Sequence, residues 1–142
     1  MSDPTDEQLA DLAAALDVFS RRFKLADVGE GRPLAEIDKH ILHFVEAHPG
    51  CGPTDVARSF GVAMTTISSA TDRLAKRGLL ERLRPSDDRR AVALRLTAEG
   101  TSYTASHKQA YMVMFRAMLA PLSPAERDAF VAMMTKIASY EP

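Results

Sequence analysis

Two short helical segments joined by a glycine turn, an alternating strand pair directly after them, and apolar helical stretches at both ends of the chain together predict a mainly α protein with a small β-hairpin. That order is the pattern of a winged helix-turn-helix, with the N- and C-terminal helices left to form a dimerisation bundle.

The length of 142 residues fits one domain, and a chain of this size buries roughly two thirds of its unfolded surface. Apolar residues make up 46% and charged residues 26%, close to the globular average, so the chain is expected to fold throughout. No apolar run nears the roughly 18 residues that span a bilayer. The acidic start MSDPTDEQ lacks the basic and apolar regions of a signal peptide, so a cytoplasmic location and no membrane partner are expected. Cys51 is the only cysteine, which excludes an intramolecular disulfide and a zinc cluster built from several cysteines of one chain.

Each element has its own signal. Thr5 with Gln8 fits a capping box, and Leu9, Leu12, Leu16, Phe19 and Phe23 then repeat at a/d spacing, a stripe that needs a partner. After Gly29-Glu30-Gly31, Pro33 is expected to open a second helix whose Leu34, Ile37, Ile41, Phe44, Val45 and His48 share one face, closed by Pro49-Gly50. A third runs from about Pro53 to Phe60, with proline suited to the first turn. Gly61 and Val62 turn into a fourth, from about Met64 to Arg77, which Gly78 ends. LLERLR and AVALRLT are the strands; in the second, Val92, Leu94 and Leu96 face one way and Ala93, Arg95 and Thr97 the other. Thr97 can cap a long fifth helix with Glu99 near its positive end, and Ser123-Pro124-Ala125-Glu126 starts a sixth.

Charge is unevenly spread. Residues 1–50 carry five Lys/Arg against ten Asp/Glu, whereas 73–95 carry eight basic residues against three acidic ones. A basic middle suits a polyanion, although charge alone would sooner describe a salt-bridged, solvated surface. The fourth helix adds a sharper clue. Its Ile67, Ala70, Thr71 and Leu74 face inward at helical spacing, which leaves Thr65, Ser68, Ser69, Asp72, Arg73 and Lys76 outward; Thr66 and Arg77 are counted with them as candidate DNA-binding residues. Small donors can approach base edges in a major groove while Arg and Lys meet phosphates. The hairpin turn PSDDRR then brings Arg89 and Arg90 to a tip that can enter a minor groove, and Asp88 reads as orienting a nearby arginine.

RLAKRGLLER (73–82) and DRRAVALRLTAEG (88–100) make the sequence resemble the MarR family of winged helix-turn-helix transcription regulators, over nearly the whole chain. The family's D-x-R…L-T-x-x-G wing signature falls on Asp88, Arg90, Leu96, Thr97 and Gly100. The resemblance implies one domain over 1–142, with 33–100 as the DNA-binding part and 1–30 and 101–142 as dimerisation helices. It implies a homodimer whose fourth helix reads the major groove of double-stranded DNA and whose wing arginine enters the minor groove. The chain departs from the family at Ala63, where Ser or Thr commonly caps the recognition helix, and at Ser69, where a long basic residue often stands.

Dimerisation has support apart from the resemblance. AYMVMF (110–115) is apolar without interruption in a helix, and such a helix needs cover on more than one side. Tyr111, Met114 and Phe115 from this stretch, Phe130, Met134 and Ile137 from the sixth helix and the stripe Leu9, Leu12, Leu16 and Phe19 from the first are the expected dimer contacts. A bundle packing back on its own winged part is the alternative.

Candidate chemistry is sparse. His40 and His43 stand at metal-ligand spacing, but His43 lies opposite the apolar stripe and is expected to be solvated, so no metal is assigned. Cys51, between two glycines, reads as a bystander rather than a redox sensor. No nucleophile elbow, P-loop or H-E-x-x-H occurs, so no enzyme and no cofactor are expected. The resulting expectation is a sequence-specific DNA-binding regulator, a ligand-responsive repressor acting as a homodimer on a pseudo-palindromic operator, with a small-molecule effector as a further partner. The alternative is a winged-helix interaction module that docks an acidic protein.

Overall fold

A computed structural model describes residues 2–24, 33–84 and 91–142. Among these the chain order is α1 (Asp6–Arg22), α2 (Glu36–Ala47), α3 (Pro53–Phe60), α4 (Met64–Lys76), β1 (Leu80–Leu83), β2 (Ala93–Leu96), α5 (Ala98–Leu119) and α6 (Pro124–Ala138). The strands pair antiparallel, with Leu80 opposite Leu96 and Glu81 opposite Arg95. The chain divides into a unit within 27–109 and a second formed from 1–26 and 110–142.

The first unit is a mainly helical winged helix-turn-helix with its own core. Ile41, Leu42 and Val45 of α2, Val56 of α3, Ile67 and Leu74 of α4 and Leu94 of β2 are all essentially inaccessible to water. Gly61, at φ 65°, supplies the left-handed residue that ends α3 and lets α4 leave at a new angle. β2 is held on its other side as well: Leu94 N–H donates to the Cys51 carbonyl at 2.8 Å, so the turn between α2 and α3 supports the sheet.

Where the hairpin hands over to α5, several backbones converge on Thr97. Its N–H donates to the Leu79 carbonyl at 3.2 Å, and its hydroxyl donates to the Gly78 carbonyl at 2.6 Å and accepts the Gly100 N–H at 3.0 Å. Thr97 therefore caps α5 and fastens it to the exit of α4. A side chain on Gly100 would place its Cβ 2.0 Å from the Leu79 carbonyl oxygen, so only glycine fits beneath the strand. This is the physical content of L-T-x-x-G.

Three sequence expectations about α2 are corrected. Pro33 does not open it: Ala35 is the N-cap, in extended backbone, and the segment before it carries Leu34 into the core first. His48 does not share the buried face, because the helix has ended; it is exposed and stacks on Phe44 with ring centroids 4.2 Å apart. His43 is half-buried rather than solvated, since α5 crosses that side. Its Nε2 lies 2.7 Å from Nδ1 of His107, a contact that needs one ring to donate and the other to accept. Glu46, one turn on, accepts from Thr104 and Lys108 of α5.

The second unit contains α1, the remainder of α5 and α6. Its helix starts are capped as the sequence predicts: Thr5 and Gln8 bond reciprocally at 2.9 and 3.1 Å, and Ser123 and Glu126 at 2.8 and 3.2 Å. Its apolar side chains are poorly covered. Neither α1 nor α6 has a buried residue.

Two stability outcomes follow from these contacts. Gly100→Ala, which would stabilise an ordinary helix, should here cost about 1–3 kcal/mol through overpacking, read as a fall in the urea midpoint. The second concerns acid. Burial lowers the pKa of His43 and of His107, with Lys108 adding to the effect on His43 and His43 to that on His107. Unfolding restores the ordinary value of 6.5, so the unfolded chain binds more protons as the medium acidifies. The histidine contribution is complete above about pH 6.5 and is lost as pH falls through the lower folded-state values. Circular dichroism melts at pH 8 and 5.5 should show this loss, and the double variant His43→Gln/His107→Gln should flatten it.

Candidate nucleic-acid interface

α4 presents a buried side and an open side. Ile67, Ala70, Thr71 and Leu74 are buried, and the Thr71 hydroxyl, with no water to meet, donates to the Ser68 carbonyl at 3.0 Å. Thr65, Thr66, Ser68, Ser69, Asp72, Arg73 and Lys76 are exposed, and Arg77 at the C-cap is half-buried. Short polar side chains thus occupy the first two turns and long cations the last, an order set by the sequence and gathered on one side by helical spacing. The N-cap is Ala63, whose side chain makes no capping bond, so the helix start carries its amides without side-chain cover.

Ion pairs organise the cations. Arg73 reaches across to α2, where its Nη2 and Nε donate to the two oxygens of Asp38 at 2.9 and 3.2 Å. Asp38 is only 3% exposed, whereas the Arg73 side chain remains half exposed. The pair raises the guanidinium pKa above its ordinary value through that hydrogen bond. Arg82 of β1 donates to Asp72 of α4 and holds its carboxyl below the usual carboxylate range. Arg95 of β2 donates to Glu81 directly opposite it, at 2.7 Å. The basic stretch is therefore partly a network of pairs that joins α2, α4 and the hairpin.

The remaining predicted residues are distributed as follows. Asp88, Arg89 and Arg90, with the expected pairing of Asp88 to an arginine, lie outside the described residues. Leu9, Leu12 and Leu16 are exposed along α1, with Phe19 half-buried and stacked on Phe23. Phe115, Met134 and Ile137 are exposed, Ile137 to 70%, while Tyr111, Met114 and Phe130 are half-buried. Cys51 is partly covered, and burial pushes its thiol pKa up, away from the reactive thiolate. Among the described residues no group of three or more metal-binding side chains converges, and no helix is long and apolar enough to cross a membrane.

Sequence reasoning missed Asp38. Its signal was present: position 38 falls on the same helical stripe as Leu34, Ile41 and Val45, so spacing alone placed a carboxylate on the buried face. The partner on α4, 35 residues away, left no such trace.

A family model described as the MarR family matches residues 38–92. The transcriptional repressor YetL of Bacillus subtilis is 29% identical over 82 residues, 58% of this chain and 49% of that protein; the chain spans about half the length of this relative. The PcaV transcriptional regulator of Streptomyces coelicolor, solved with its natural ligand, is 26% identical with 97% of each chain covered and a TM-score of 0.62. FabT of Streptococcus pneumoniae, solved with DNA, matches at a TM-score of 0.78 over 94% of this chain and 95% of that one; at 21% identity it speaks for the fold alone. With the wing signature, the helix-turn-helix and the matched segment in agreement, the chain is similar to the MarR family of winged helix-turn-helix transcription regulators, most directly over residues 38–92.

Proposed function

We propose that this protein is a sequence-specific DNA-binding regulator, a ligand-responsive repressor that acts as a homodimer on a pseudo-palindromic operator. The observation that carries the reading is the open side of α4, where Thr65, Thr66, Ser68 and Ser69 precede Arg73, Lys76 and Arg77. The short side chains suit the floor of a major groove and the cations suit the phosphates on its edge. In this reading residues 33–100 form the DNA-binding part, and Asp88, Arg89 and Arg90 serve the minor groove. Repression is favoured by the YetL resemblance and an effector by the ligand-bound PcaV structure, while duplex DNA as the partner rests on the open side of α4.

The homodimer is supported by what one chain leaves uncovered. Helices that bury none of their residues have no core of their own, yet α1 and α6 carry large apolar side chains along their length. A second copy offers the same stripe in return, as two-fold symmetry requires. The helices within 1–30 and 101–142 are assigned to this contact.

Duplex binding measured against salt tests the reading. Three α4 cations in each of two copies give a log–log slope of about −5 if all six meet phosphates. Absence of duplex binding at any salt would favour a module that docks an acidic protein. Within the DNA reading, Arg90→Ala should cost about 1–3 kcal/mol at a selected operator and less on scrambled duplex, because a minor-groove arginine senses groove width. Equal losses on both would reduce the wing to a phosphate grip.

The dimer has a separate check. At 50% and 70% exposure, Met134 and Ile137 are surface residues in a single chain, where Met134→Glu/Ile137→Glu should cost little stability. Buried between two copies, the same charges should leave monomer in a sedimentation experiment. A variant that stays dimeric would remove α6 from the interface.

A further inference from the structure

A carboxylate withdrawn from water in an apolar layer is costly unless it is paired and hydrogen-bonded. Asp38 is such a group: Ile41, Leu42 and Val45 share its buried face, and Arg73 supplies a hydrogen bond to each of its oxygens. What is unusual is where the arginine stands. Arg73 belongs to the open side of α4, one turn from Ser69 and from Lys76, and its side chain is half exposed. Two of the five N–H donors of its guanidinium are spent on Asp38; the planar fork fixes the direction of the rest.

We propose that Asp38 is a positioning residue for DNA recognition: it holds the Arg73 guanidinium in the orientation in which it meets the phosphate backbone. The inference rests on the reading of α4 as the groove helix. A long cation that wandered in solution would have to be ordered on binding, whereas a forked one is ordered already. Because phosphate contacts fix register, an ordered Arg73 also aligns the short side chains of the first two turns with the base edges.

Charge alone predicts the opposite behaviour. Asp38 is an anion beside a polyanion, so removing it should relieve repulsion and tighten binding to any duplex. Positioning predicts that removing it weakens binding. The sign of one measurement therefore separates the two.

The measurement uses the full chain and two duplexes: one selected by the wild type from a random library, and a scrambled version of the same composition. Fluorescence anisotropy is recorded well below the melting temperature of each variant, with circular dichroism confirming a folded chain. Asp38→Asn should bind the selected duplex about three- to tenfold more weakly, the range expected for ordering one long side chain, and should not gain on the scrambled one. Asp38→Glu should recover part of the loss by restoring the carboxylate. Arg73→Lys keeps the charge but loses the fork and should weaken binding in the same way; a purely structural ion pair would tolerate it. A folded Asp38→Asn that binds the selected duplex as tightly as the wild type, or more tightly, overturns the proposal. Should Asp38→Asn fail to fold, Arg73→Lys decides, and wild-type affinity in that variant overturns it equally. A wild type that selects no duplex would refute the groove-helix reading itself and this inference with it.

Discussion

The winged unit depends on the junction at Thr97. A helix-turn-helix fixes one recognition helix, but a wing is useful only if its hairpin leaves that helix in a defined direction. Here the exit of α4, the entry of β1, the exit of β2 and the start of α5 all bond through one threonine and crowd one glycine. The hydroxyl both donates and accepts, so replacing it by an isosteric methyl would leave the Gly78 carbonyl and the Gly100 amide without this partner. The hairpin also gains a second support in the Cys51 carbonyl, which matters because an isolated two-stranded hairpin is only marginally stable in water. Direction of the wing is thus a backbone property, set before any charged side chain acts.

The charges are laid over this frame in pairs. Asp38 to Arg73 crosses from α2 to α4, Asp72 to Arg82 from α4 to β1, and Glu81 to Arg95 across the sheet. The last two are exposed, and exposed pairs add little stability, with a median of roughly 0–1 kcal/mol. Their value lies in geometry. A segment with eight cations against three acids would be a diffuse positive surface if every side chain were loose, whereas pairing fixes where several of the guanidinium groups point. The two opening interpretations of the basic stretch, polyanion site and salt-bridged surface, are therefore compatible. Acidic residues drawn from α2, α4 and β1 order the cations without removing them from solvent.

Much of the fold was legible because its signals are local. The capping boxes at Thr5 and Ser123, the proline at the start of α3 and the glycine after it each act within four residues, and each is found where the sequence places it. The inward set of α4 was legible because burial follows helical spacing. The failures share the opposite property. Pro33 has the fixed φ of a first-turn residue, but Leu34 has to reach the core before the helix begins, and that demand comes from other elements. His43 was misread because a face opposite an apolar stripe is solvated only if nothing else covers it, and α5, 64 residues on at His107, does. Asp38 was overlooked for the same reason: spacing marks it as buried, but only the fold supplies its guanidinium. At the candidate interface, α4 could be read in advance; the partners that order it could not.

The two units solve the problem of apolar surface differently, and this bears on how a dimeric regulator would behave. The winged unit closes a core from α2, α3, α4 and the sheet within one chain, so its fold does not wait on a partner. The helices α1 and α6 close none. If their stripes are covered by a second copy, the stability of that unit becomes a function of protein concentration, and association and ordering of those helices are a single event. If the proposed homodimer binds paired half-sites, its DNA binding would inherit the same dependence, because two sites held at a fixed spacing bind with an effective concentration that one alone does not have. A ligand that changed how the bundle helices pack would act on that spacing without touching α4. Any such ligand would have to interact differently with two arrangements of the bundle, since one that bound both equally would shift nothing.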